Sequence, residues 1–305
     1  MEIILHIGYH KTATTWLQQK IFANIKNDNL NYVGRCYPQK KQLDKIPIIK
    51  NFIKTNYNKH IKINKAVNRI AFQNNSLYSQ ADFRKTFFSN LDKNKINLFS
   101  HENLLRPSNT QRTAIRIKNA FKENNVKIII SIRNQKSLIN SRYFHDINLK
   151  LFKNYKLSEA LEKNNENSCE WPYCKFSKNK CVCRTKGLKY INLQFYNFYN
   201  IYNIYSELFG TKNIHFVVFE NLISEPNKEL KQLFDFCSIN IKKQEIEELS
   251  KKEAVNKSFG KKTELLTLYK EDFTKTNLFL QNYYQESNMK LDKKLRMDLN
   301  NLSYY

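Results

Sequence analysis

The segment Val126-Lys-Ile-Ile-Ile-Ser-Ile132 constrains this chain more than any other. Five of its seven residues are β-branched aliphatics. A strand with one wet face alternates apolar and polar side chains. A nearly continuous run needs cover on both faces, as in the centre of a parallel sheet. Shorter runs at Met1–Gly8, Ile96–Ser100 and Ile214–Phe219 read as further strands. Helical spacing lies between them. Trp16, Leu17, Ile21, Phe22 and Ile25 mark one helix, and Thr110–Asn124 is a second, with Ile115, Ile117, Ala120 and Phe121 apolar. Gln135–Leu149 is a third, and Pro226–Cys237 a fourth with proline in its first turn. Alternating strands and helices predict an α/β chain, a central parallel sheet flanked by helices in three layers. Residues 27–95 read as short helices and loops, and residues 242–305 as mostly helical. A long aromatic helix is expected from about Leu188 to Phe209. Its stripe of Ile191, Phe195, Phe198, Tyr202, Tyr205 and Phe209 suits core packing, with stacking on a sugar or aromatic acceptor as the alternative.

The 305 residues are 41% hydrophobic, enough for a sizeable core, and five Gly and five Pro exclude a collagenous or low-complexity chain. Lys and Arg exceed Asp and Glu by 52 − 27, a net charge of +25. The excess is mostly Lys, spread evenly beside Asn and Ile, a pattern that AT-rich codon drift also produces. An anionic ligand should be attracted, but a nucleic-acid binder would cluster its Lys and Arg with aromatics on one face. No nucleic-acid partner is expected. No apolar run approaches the roughly 20 residues that span a bilayer. The start lacks a basic region and a cleavage site, so it reads as a buried strand rather than a signal peptide, and a cytoplasmic location is expected.

Gly8-Tyr-His-Lys11-Thr12-Ala13-Thr14-Thr15-Trp16 joins the first strand to a helix. Such a turn gathers unpaired N–H groups and the helix dipole at one place. A Lys ammonium and three hydroxyls add donors suited to phosphate or sulfate oxygens. The order is not the G-x-x-x-x-G-K-S/T of nucleotide kinases, the rival reading within this fold, because Lys precedes the small residue and no second Gly occurs. Leu5 to Gln18 instead resembles the 5′-phosphosulfate loop of the sulfotransferases, where Gly commonly sits at the Ala13 position and Pro often at His10.

The resemblance implies a P-loop-like sulfotransferase domain over 1–305, using 3′-phosphoadenosine 5′-phosphosulfate (PAPS) as donor and releasing 3′-phosphoadenosine 5′-phosphate (PAP). Lys11, Thr12, Ala13, Thr14 and Thr15 would hold the phosphosulfate, with Trp16 near the adenine. Val126 to Ser141 is similar to the 3′-phosphate motif of the same family, in which Arg133 and Ser141 would clamp that phosphate. Asn134-Gln135 stands where many members carry Asp or Asn followed by Pro. Ile214 to Leu222 is similar to a late strand–Glu–x–Leu segment, in which Glu220 reads as a structural cap.

Transfer of a sulfuryl group needs charge stabilisation at the leaving oxygen and a base for the acceptor proton. Lys11 suits the first role. Ser100-His101-Glu102 resembles the strand end that carries the base in this family, so Glu102 is the first candidate and His101 the second, with His10 and His145 as outsiders. A strand alternates its side chains, so His101 and Glu102 should point apart. The acceptor is expected to be a hydroxyl, most simply on a glycan or glycolipid. Cys169, Cys174, Cys181 and Cys183 crowd a loop at about 168–187. They fit a structural zinc site, disulfides or free thiols. Asn256 to Lys262 is a candidate late loop for the 3′-phosphate.

Overall fold

A computed structural model describes residues 1–34, 62–63, 65–105, 110–148, 156–162, 176–177, 180–181, 191–252 and 262–305. Its chain forms two compact units, one of Met1–Ile132 with Tyr205–Val255, the other of Arg133–Ile204 with Asn256–Tyr305.

The first unit contains a five-stranded sheet. The strands are β1 (Glu2–His6), β2 (Leu30–Tyr32), β3 (Ile96–Ser100), β4 (Asn125–Ile132) and, after a short hairpin of β5 (Phe176–Ser177) and β6 (Lys180–Cys181) elsewhere in the chain, β7 (Ile214–Val218). Their order is β2-β3-β1-β4-β7, and every pairing is parallel. The β-branched run of β4 lies inside the sheet, between β1 and β7, where helices cover both faces and favour apolar side chains. β1 is central, flanked by strands that come later in the chain. The strand order therefore reverses around it, and the crevice at its carboxyl end is where α/β proteins place their ligands.

Helices cover both faces of this sheet. Helical chain runs from α1 (Thr14–Trp16) through a π-helical turn (Leu17–Ile21) and a 3-10 turn (Phe22–Asn24). Residues 65–72 form α2, followed by α3 (Gln80–Phe88) and α4 (Thr110–Ala120). On one face Ile4, Leu98, Ile129 and Val217 pack with Leu17, Ile21 and Phe22, and with Leu222, Leu230, Leu233, Phe234, Ile246 and Leu249. Those residues lie on α8 (Phe219–Ser224), α9 (Pro226–Phe236) and α10 (Lys243–Ser250), numbered after α5, α6 and α7, whose ranges are given below. On the other face Leu5 and Phe99 meet Val67, Ile70, Phe83, Phe87, Ile117 and Phe121 around one small apolar space. Ring pairs Phe87–Phe99 at 5.0 Å and Phe87–Phe121 at 5.3 Å knit that layer. The three-layer α/β expectation holds.

Expected and observed elements differ in three places. The aromatic helix is broken: a 3-10 turn (Leu193–Tyr196) precedes Asn197, whose backbone is extended (φ −77°, ψ 94°). The Asn197 side chain accepts from Asn200 N at 3.0 Å and so caps α7 (Phe198–Phe209). Asn is a preferred cap because it satisfies an orphan N–H, and periodicity alone does not register that competition. All six members of the stripe are buried, as core packing requires. In α4, Ile115 is exposed while Arg116 is buried, its guanidinium bonded to Ile70 O (3.0 Å) and Asn75 Oδ1 (2.7 Å) and lying over the Tyr78 ring at 4.2 Å. At the end of β7 the buried carboxylate is Glu229 rather than Glu220. It accepts from Val218 N (2.8 Å) and Asn221 Nδ2 (3.2 Å), and burial raises its pKa.

The second unit holds α5 (Gln135–Asn148), α6 (Leu157–Glu162), α11 (Lys262–Leu268) and α12 (Lys270–Leu295). α12 opens with Glu271 and Asp272 and closes with Lys293 and Lys294, both favourable to its dipole, and ends at Arg296 in the left-handed region (φ 54°). Gln135 and Asn288 exchange two amide hydrogen bonds, of 2.8 and 3.0 Å, that tie α5 to α12.

Candidate active site

β1 ends in a turn packed tightly against β4. Ile7 N and Tyr9 N continue the pairing, donating to Ile129 O (2.9 Å) and Ser131 O (3.2 Å). Gly8 lies between them, where a Cβ would stand 1.7 Å from Ser131 Oγ. Only glycine permits that approach. The chain then turns through Lys11 (φ 70°) and Ala13 (φ 59°), both left-handed, before α1 begins at Thr14. Left-handed backbone of this kind is a feature of the concavities in which successive N–H groups bind anions.

Below the turn lies a buried polar layer whose hydrogen positions follow from the heavy atoms. Thr12 Oγ1 donates to Tyr9 O at 2.6 Å, so Ser131 Oγ must donate to Thr12 across 2.9 Å. Ser131 then has no proton left, and His6 Nε2–H donates to it at 3.1 Å. His6 Nδ1 is the acceptor of the neutral ring, receiving Ser100 Oγ–H at 2.6 Å. Gln18 Nε2 supplies its two protons to Ser100 Oγ and Glu102 Oε2, each at 3.1 Å. The other Glu102 oxygen faces His10 Nδ1 at 3.5 Å. Burial pushes the His6 pKa down to about 4, against a smaller upward pull from the Glu102 charge. His6 is therefore neutral near pH 7, as the chain of bonds requires.

Exposure separates the carboxylate from its partner. The Glu102 side chain is 9% exposed and the His10 side chain 36%. Ser100 and Glu102 both reach Gln18, while His101 turns to the other side and stacks over Phe99 at 6.2 Å. Strand alternation thus persists beyond β3, and the two candidate bases point apart as expected. His101 is buried, and its Nδ1 accepts from Asn103 N at 3.1 Å, capping a 3-10 turn (Glu102–Leu104).

The other residues of the turn are held as follows. Thr12 and Thr14 are buried, whereas Lys11, Ala13, Thr15 and Trp16 are half-buried. The Trp16 indole N–H donates to Lys252 O at 2.8 Å, which fixes the ring. Lys252 has its pKa lowered by burial and then by the nearby charges of Lys20 and Lys26, with Glu248 and Glu245 pulling the other way.

In the second unit Arg133 stands two residues before the start of α5, and Ser141 lies nearly two turns along it. Both are half-buried. The Asn134 side chain accepts from Lys136 N (3.1 Å) and donates to Ser303 O (2.5 Å). It replaces the rigidity of a proline turn by capping. Cys169, Cys174 and Cys183 lie outside the described residues, as does Asn256 to Lys261, and Cys181 falls on β6. No group of three or more metal-binding side chains occurs among the described residues.

Sequence reasoning assigned no role to His6, Gln18, Ser100 or Ser131. Gln18 carried a signal, being a polar residue flanked by Leu17 and Ile21 on a helix that packs against the sheet.

Two solved structures similar to this chain are sulfotransferases. One, from Alicyclobacillus acidocaldarius, is 14% identical, with 92% of this chain and 96% of that one aligned at a TM-score of 0.48. The other is mouse sulfotransferase SULT7A1 complexed with PAP, also 14% identical, with 92% and 89% covered at a TM-score of 0.38. No curated protein matches the sequence. The family model of the sulfotransferase domain matches residues 2–291, nearly the whole chain. This chain therefore belongs to the sulfotransferase domain family.

Proposed function

We propose that the protein moves a sulfuryl group from PAPS to a hydroxyl, on a glycan or glycolipid, within one sulfotransferase domain. The observation that carries this is the turn Gly8–Trp16, which combines a Lys ammonium, hydroxyls and left-handed backbone. That donor set matches a doubly anionic phosphosulfate in charge and hydrogen-bonding capacity, and Gly8 lets the loop seat against Ser131. PAPS, when bound, supplies an activated sulfur with a phosphate leaving group. The protein's part is positioning and charge. Lys11 neutralises the negative charge that grows on the departing oxygen. Thr14 and Thr15 offer hydroxyls to the same anion, and the resemblance assigns the 3′-phosphate to Arg133 and Ser141. Glu102 receives the acceptor's proton, in preference to His101, whose Nδ1 is engaged in a cap.

Binding of PAP measured against ATP and duplex DNA tests the donor, since a kinase would prefer ATP and a nucleic-acid binder the duplex. A clear preference for PAP is expected. Equal affinity for all three would overturn the assignment. Lys11→Ala should lower transfer of labelled sulfate by ~100-fold or more, the scale of losing one preorganised group at the developing charge. A panel of saccharides, glycolipids, small alcohols and amines identifies the acceptor.

A further inference from the structure

The buried layer under the Lys11 turn runs from the carboxylate that takes the acceptor's proton to the backbone beside the leaving-group stabiliser. Gln18 donates to Glu102 and to Ser100. Ser100 donates to His6, His6 to Ser131, Ser131 to Thr12, and Thr12 to the Tyr9 carbonyl. Each of the three hydroxyls accepts once and donates once, so every bond runs one way and the last ends on the turn itself. The five side chains between Glu102 and Tyr9 are all buried, none more than 1% exposed. We propose that His6 is a positioning residue for sulfuryl transfer, holding Glu102 and the Lys11 turn at one fixed separation, and that Thr12 serves this layer rather than the phosphosulfate. This rests on the sulfotransfer reading above and deepens it.

His6 stands on β1 and spans its two neighbours, reaching Ser100 on β3 with one ring nitrogen and Ser131 on β4 with the other. A neutral imidazole accepts on one side and donates on the other, which an aliphatic side chain of similar size cannot do. Thr12 has its hydroxyl proton engaged by Tyr9 O and is 0% exposed, so it grips the turn from beneath. The peptide after Tyr9 is trans and planar, so drawing its carbonyl into the layer turns the following N–H away from it. That peptide leads through His10 into the left-handed Lys11. Gln18 plays the matching part at the other end, where one amide nitrogen holds both Ser100 and Glu102. The layer moves no proton. Its contribution is distance, and a misplacement of about 1 Å can cost a transfer reaction ~100-fold.

Two measurements test this. His6→Leu should lower kcat by ~100-fold, while His6→Gln, whose amide also accepts and donates, should turn over ~10-fold faster than His6→Leu, the scale of a buried polar partner restored. A lowered denaturant midpoint with kcat within about threefold of wild type in His6→Leu would mean a purely structural role, and overturns the proposal. The second measurement does not need His6→Leu to fold. Thr12→Val and Gln18→Met change the two ends of the layer, and their effects on kcat, alone and combined, should depart from additivity by about threefold or more, as members of one hydrogen-bonded network do. Strictly additive losses in an enzyme that still transfers sulfate overturn the coupling and leave the sulfotransferase reading standing. A wild type that transfers no label from PAPS overturns that reading, and the coupling with it.

Discussion

Gly8 illustrates how a single residue sets the distance between two strands' ends. With its Cβ position 1.7 Å from Ser131 Oγ and 3.0 Å from Ser131 N, Gly8→Ala cannot be absorbed by a side-chain rotation alone. It should destabilise the protein by ~3 kcal/mol, the upper part of the range for overpacking. Denaturant midpoints check this, and a second change, Ser131→Gly, should recover part of the loss. His6 carries a different expectation. Its folded pKa, about 4, lies below the 6.5 of an ordinary histidine, so between these values the unfolded chain binds more protons. Stability should therefore be intact above pH 6.5 and decline as pH falls toward 4. A shift of this size corresponds to ~3 kcal/mol. His6→Gln, which cannot be protonated, should flatten the pH–stability profile in that window; an unchanged slope would show that His6 does not drive it.

At the scale of elements, polar side chains decide where helices begin and what they grip. Asn197 and Asn134 both cap helix starts that periodicity would have drawn elsewhere or left to proline. Gln135, at the first position of α5, stands where the family resemblance implies proline. Proline suits a first helical turn, yet here the Gln amide is the partner of buried Asn288. Gln135→Pro should therefore lower stability by about 1–3 kcal/mol, the cost of a buried polar group left without its partner. A thermal melt that rises instead would show that turn rigidity outweighs the amide pair. The short strand β2 was not legible within residues 27–95, because three half-buried residues, Leu30–Tyr32, carry no period of their own. Pairing with β3 makes them a strand.

For the whole molecule, the +25 charge is the dominant long-range property. Among its cations, only Lys11 and Arg133 are proposed to meet the anionic donor directly. The remainder should act by steering. The association rate for PAP should fall as the screening length contracts from ~30 Å at 0.01 M salt to ~3 Å at 1 M. Stopped-flow binding checks this. A rate independent of salt would leave the charge without a role in encounter.

The sequence alone determined the parallel α/β class, the Lys- and Thr-rich turn after β1 and the strand end carrying His101 and Glu102. Each depends on spacing or residue order along a short stretch, and such local signals survive without knowledge of the fold. What surrounds them was decided by tertiary structure. His6, Gln18, Ser100, Glu102 and Ser131 become one hydrogen-bonded layer because β3 and β4, formed much later in the chain, take places on either side of β1. The exposure of His10 beside a buried Glu102 has the same origin. Hydrogen bonds are short and directional, so partners distant in sequence are found only when sheet order and register bring them within about 3 Å.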